Sequence, residues 1–186
     1  PDRQGVTEMK YIEGMYWIWD EIVRRNPGLR IDNCASGGRR IDIETCSRSW
    51  PLWRSDFNDV NEGHKGPEYY SFMGCADQVH VSGLSLYVPV HAGPVWGSEP
   101  YVWRSAMSSA AILYGAIEHF EPGLTRLAVD ELRELRDLFV GDFYPLLPFS
   151  LDQDAWHAYQ LHDPDTGRGV AAVFRRMESV STEKEI

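Results

Sequence analysis

The tripeptide Asn26-Pro27-Gly28 constrains this chain more than any other feature. Pro27 has no N–H and disfavours helical backbone at the residue before it, so a helix arriving from the N-terminal side must stop there. Upstream, Met9, Ile12, Tyr16, Trp19 and Val23 recur at helical spacing, which predicts one amphipathic helix from about Thr7 to Arg25. Downstream, Leu29 to Asn33 form a short extended run that leads into a Gly-containing loop, Cys34-Ala35-Ser36-Gly37-Gly38-Arg39-Arg40. Helix, turn, strand is the order of a βα repeat entered halfway, so an α/β fold is expected. A chain opening at Pro1 in place of Met reads as processed or cut.

Further elements follow the same logic. Pro51 to Asp56 and Gln78 to Ser82 read as second and third short strands. Ser98 is placed to cap a helix with Pro100 in its first turn, running to about Ala111, and Ile112 to Ile117 read as a fourth strand. Leu124, Leu127, Ala128, Leu132, Leu135 and Leu138 line one face of another helix, whose charged residues form a solvated face. After Pro145 and Pro148 the composition shifts to aromatic and β-branched segments, Asp154 to Leu161 and Gly169 to Arg175. The turn Asp163-Pro164-Asp165-Thr166-Gly167 between them predicts a β-hairpin, with a domain boundary near residue 148.

Charge and cysteine usage narrow the function classes. Eighteen Lys and Arg against 28 Asp and Glu give a formal charge of −10, the opposite of the basic stripe that nucleic acid requires. No apolar run approaches the ~18 residues of a membrane helix, so no membrane partner is expected. Three cysteines at irregular spacing (Cys34, Cys46 and Cys75) exclude a disulfide scaffold and any C-x-x-C zinc or redox motif. Free cysteines and no visible leader favour the cytoplasm.

Two junctions could carry chemistry, because α/β folds place sites where strands run into polar, Gly-rich loops. In the first, Gly37 and Gly38 let backbone approach a ligand, while Asn33, Cys34, Ser36 and the arginines supply donors; a tight structural turn explains the same residues. The GxxxxGK[ST] phosphate-loop pattern is absent. In the second, Trp53-Arg54-Ser55-Asp56 ends in a carboxylate that could act as general acid or base, or could simply cap the next loop or pair with Arg54. Asp59 could orient Asp56 or cap a helix. His80, His91 and His119 lack metal-ligand spacing and read as core or loop residues. Trp17 and Trp19 read as helix packing, whereas Trp53 and Trp96 fall beside the two loop regions.

The run from Ile31 through the Cys34–Arg40 loop to Ile41-Asp42-Ile43-Glu44, followed by Leu52-Trp53-Arg54-Ser55-Asp56, closely resembles family 36 glycoside hydrolases, the α-galactosidase family. The opening Asp2-Arg3-Gln4-Gly5-Val6-Thr7-Glu8, Val79-His80-Val81-Ser82, and Gly141-Asp142-Phe143-Tyr144-Pro145-Leu146 resemble family segments in the expected order. The resemblance implies a (β/α)8 TIM barrel followed by a β-sandwich, and retaining hydrolysis by two aspartates. The acid/base is then Asp56. Cys34, Ser36 and Gly37 contact the sugar, Arg40 and Trp53 belong to the same substrate-binding set, and Ser36 stands where many members carry Gly. The implied nucleophile lies on an earlier strand, in a segment resembling K-x-D, which is not in this chain.

A whole barrel takes ~250 residues, so about 148 leave room for four strands. The expectation is the second half of a TIM barrel over 1–148 and the start of a C-terminal β-sandwich over 149–186. The implied substrate is an α-galactoside, with no metal or organic cofactor. Exposed half-barrel edges suggest self-association, or a homo-oligomeric parent. Two alternatives stay open: a non-catalytic galactoside-binding remnant, and a parent acting on another α-glycoside such as an α-N-acetylgalactosaminide.

Overall fold

The helix before the breaker forms as its spacing dictates: α1 spans Val6–Arg25, and the Asn26 N–H closes it onto the Ile22 and Val23 carbonyls. The computed structural model describes residues 3–58, 67–115 and 117–186; Asp2 and Asp59 lie outside them. One edge of α1 packs on the short helix α2 (Ile43–Cys46). Tyr16 Oη and Thr45 Oγ1 are 3.2 Å apart, and Arg48 stacks over the Tyr16 ring while its guanidinium donates to Asp20. The stripe Tyr11, Ile18 and Ile22 is exposed, and Trp17 does not pack as expected but stands 67% exposed.

Four extended segments lie side by side. Trp50 N–H donates to Ile31 O and Asn33 N–H to Trp50 O, in a parallel bridge. Ala92 N–H donates to Pro51 O and Arg54 N–H to Ala92 O. β1 (Pro94–Val95) then pairs in parallel with β2 (Ile112–Leu113), and Tyr114 N–H extends the pairing to Val95 O. Pro51 to Asp56 is extended only as far as Arg54, and Asp56 opens a 3-10 turn.

The third strand is not where alternation suggested. Gln78 to Ser82 lies inside helix α3 (Pro67–Ser85). Val79 and Val81 mimic a strand, but Cys75, Asp77, Gln78 and Val81 are all at most 3% exposed, so the helix is buried on several sides and shows no clean amphipathic period. Ser98 does not cap a helix either. Glu99 holds the cap position of α4 (Pro100–Ala106), and Ser98 Oγ accepts from Glu121 N–H. Met107 turns extended, which ends α4 before Ala111.

Helix α5 (Pro122–Leu135) starts with the Glu121 carboxylate accepting from the Gly123 and Leu124 N–H groups, and a 3-10 turn, Arg136–Val140, follows it. The hairpin forms as β4 (Trp156–Asp163) and β5 (Arg168–Arg175), antiparallel in register from Trp156↔Arg175 to Asp163↔Arg168. A third strand, β3 (Asp142–Pro145), pairs with β4 from before residue 148. This sheet shares one core with the helices: Val81, Met107, Leu138, Phe139, Tyr159, Leu161 and Phe174 pack together. Buried polar contacts cross the same boundary, with Ser82 Oγ hydrogen-bonded to His157 Nε2 at 2.7 Å and Arg176 Nε donating to Gln78 Oε1 at 3.1 Å.

Candidate active site

The two loop junctions meet in space. Gly37 is buried at φ 66, and a Cβ placed there would sit 2.9 Å from Ser55 Cα and closer still to the Asp56 nitrogen. Gly38 is pressed against Arg54 O in the same way. The Cys34–Arg40 loop therefore lies directly on the backbone that carries Asp56. Asn33 was expected to offer donors to a ligand; instead its Nδ2 donates to Arg40 O at 2.7 Å and closes the loop on itself. Ser36 takes the left-handed φ of 48 that the turn requires. Cys34 is exposed at the start of the loop.

The Asp56 carboxylate is exposed, and Trp53 Nε1–H donates to its Oδ1 at 2.8 Å. Arg54 does not pair with it. The Arg54 guanidinium turns inward, fully buried, and meets Asp77 on α3 at 3.0 Å. It also donates to Ala106 O and Ser108 Oγ, both at 3.3 Å, and passes under Gly93, where a Cβ would come within 2.7 Å of it. Burial lowers its pKa from the usual value, and the Asp77 carboxylate opposes that shift. Burial, reinforced by the Arg54 cation, holds His80 near 4 and His91 near 3, so both imidazoles are neutral at ordinary pH. His80 meets the edge of Phe57 beside Asp56.

Spacing did not disclose what surrounds Trp53. Its ring lies 5.0 Å from Tyr114, and Tyr114 lies 4.6 Å from Trp96. Each aromatic lies in or just after a different extended segment. Trp96 was noticeable beside a loop; Tyr114, 61 residues after Trp53, carried no local signal. Among the described residues no three His, Cys, Asp or Glu side chains converge as metal ligands. The site offers a carboxylate with an indole donor, an aromatic wall and close-packed glycine backbone. Such a site suits proton transfer to or from a bound ligand.

No family model matches the chain. It is 28% identical over 186 residues to alpha-galactosidase AgaA of Geobacillus stearothermophilus, spanning 94% of this chain and 24% of that protein. It is 25% identical to alpha-galactosidase 1 of Pediococcus pentosaceus, over 84% of this chain and 22% of the relative. A 47-residue stretch is 43% identical to an alpha-galactosidase of Escherichia coli, 25% of this chain and 7% of that protein. The crystal structure of a GH36 AgaA variant with 1-deoxygalactonojirimycin superposes with a TM-score of 0.73 at 22% identity, covering 98% of this chain and 26% of that one.

The fold is thus a mixed helix-and-strand segment of the kind found in a TIM-barrel glycosidase. Over most of its length the chain is similar to the alpha-galactosidases of glycoside hydrolase family 36. It spans only 21–24% of the length of the three relatives it matches over most of its own length.

Proposed function

We propose that these residues are the second half of a (β/α)8 barrel, 1–148, with the beginning of a C-terminal β-sandwich, 149–186, of a retaining α-galactosidase-like hydrolase. The observation that carries the reading is the convergence of the Cys34–Arg40 loop on the Trp53–Asp56 junction at the end of four adjacent extended segments. Outward ends of such segments are where barrel enzymes build their sites. The exposed stripe on α1 and the edge at Ile31–Asn33, which among the described residues pairs on one side alone, are the surfaces an earlier half would cover.

Retaining hydrolysis needs two carboxyl groups ~5–5.5 Å apart, one attacking the anomeric carbon and one protonating the leaving oxygen. Asp56 is the acid in the first step and the base that activates water in the second. Cys34, Ser36, Gly37 and Arg40 take the sugar from the loop, and Trp53 takes it from the strand end. The nucleophile belongs to the earlier half, and the sugar cleaved is a terminal α-galactoside.

The test is an aryl α-galactoside assay on the 186-residue chain and on the same chain restored to an upstream half carrying a K-x-D strand. Activity is expected only in the restored protein and only with Asp56 intact. Robust turnover by the 186-residue chain, abolished by Asp56→Asn, would place the nucleophile within these residues and overturn the assignment.

A further inference from the structure

Among the described residues, the Asp56 carboxylate has one hydrogen-bond donor, the Trp53 indole N–H. An exposed aspartate at the start of a 3-10 turn has rotameric freedom, so its direction depends on what holds that indole. Trp53 is half-buried, and among the described residues the ring that flanks it is Tyr114, tilted by 56° at 5.0 Å. Tyr114 is held from the far side by Trp96, edge-on at 4.6 Å and 72°. Backbone pairing fixes both from below, since Tyr114 N–H donates to Val95 O immediately before Trp96. The Trp96 indole N–H is buried without an acceptor among the described residues, so packing of its ring, not its donor, keeps it there.

We infer that Tyr114 and Trp96 are positioning residues for Asp56, acting in series through the Trp53 indole. The inference rests on Asp56 being the acid/base, but the contact it concerns is physical and can be read without turnover. The Tyr114 hydroxyl takes no part in it; the ring face does. Tyr114→Phe therefore preserves the relay, and Tyr114→Ala opens a gap beside Trp53 that lets the indole swing away from the carboxylate.

The experiment is indole 15N–1H NMR on the 186-residue chain labelled at tryptophan, with the Trp53 signal assigned by Trp53→Phe. Asp56→Asn first establishes that this signal reports the carboxylate. Tyr114→Ala is expected to move the Trp53 signal towards that of Asp56→Asn and to speed its exchange with solvent about ten-fold. Trp96→Ala should do the same to a smaller degree, and Tyr114→Phe should leave it unchanged. The buried Trp103 signal, in a separate core cluster, controls for folding. An unchanged Trp53 signal in Tyr114→Ala, with Trp103 intact, overturns the relay. If Trp103 is lost as well, the milder Tyr114→Leu, which removes the ring but keeps an apolar side chain, decides: a displaced Trp53 signal with Trp103 intact supports the relay, and an undisturbed one overturns it. Failure of the hydrolase reading would show separately, as a restored protein that is inactive while the NMR relay stands.

Discussion

Gly37 and Asp56 are joined through backbone: the loop turns at φ 66 with no room for a Cβ between Gly37 and the Ser55–Asp56 peptide. Gly37→Ala combines left-handed strain with direct overlap and should cost about 2–5 kcal/mol. Gly28→Ala is the control, because Gly28 shares the positive φ but meets nothing within 4 Å; it should cost only about 1 kcal/mol. Urea unfolding of the two variants checks the difference. Equal losses would mean that the loop does not lie on Asp56 as described.

Acid should begin to destabilise this protein at a pH above the carboxylate range. His80 and His157 are held near 4 and His91 near 3, chiefly by burial, whereas all three sit near 6.5 when unfolded. The unfolded chain binds more protons below that value, so stability is full above about pH 6.5 and falls as pH drops towards 4, by up to about 1.4 kcal/mol per pH unit for each histidine. Urea midpoints at pH 7, 5.5 and 4.5 measure this. His157→Gln, which keeps a partner for Ser82, should flatten the slope by roughly a third.

The Arg54–Asp77 pair fastens the site to α3 from below. Arg54→Met takes one donor from the buried Asp77 carboxylate and one each from Ala106 O and Ser108 Oγ. A loss of about 3–5 kcal/mol is expected, and Arg54→Met combined with Asp77→Leu should lose clearly less than the two single changes added together. A double-mutant cycle reads that coupling. Strict additivity would make the pair energetically inert.

In the restored enzyme, Asp56→Ala should spare glycosyl-enzyme formation from a dinitrophenyl α-galactoside, whose leaving group needs little protonation, and should slow the breakdown step. Azide needs no base and can occupy the space left by the carboxylate. It should attack from the same face and yield the α-galactosyl azide. Isolation of the β-azide would make Asp56 the nucleophile; full activity with no azide product would make it structural.

Local patterning was enough wherever an element is amphipathic or punctuated. Helix α1 ends at the Asn-Pro-Gly breaker, α5 follows its leucine stripe, and the hairpin turns at Asp163–Gly167, because caps, breakers and period-2 alternation act over a few residues. The resemblance to family 36 was legible in the same local way, in the Cys34–Arg40 loop and the Trp53–Asp56 end. Tertiary packing decided the rest. Gln78 to Ser82 lies in a helix, α3, that is held by Arg54, Tyr101, His157 and Arg176 from four distant stretches of chain, and burial on several sides erases the period that would announce a helix. The extended run at Ala92–Val95 is short and carries Gly and Pro, so its strand character comes only from its neighbours. The surroundings of Asp56 belong to the same class: Trp53, Tyr114 and Trp96 become neighbours only when three segments lie in parallel, a contact that no spacing along the chain can encode.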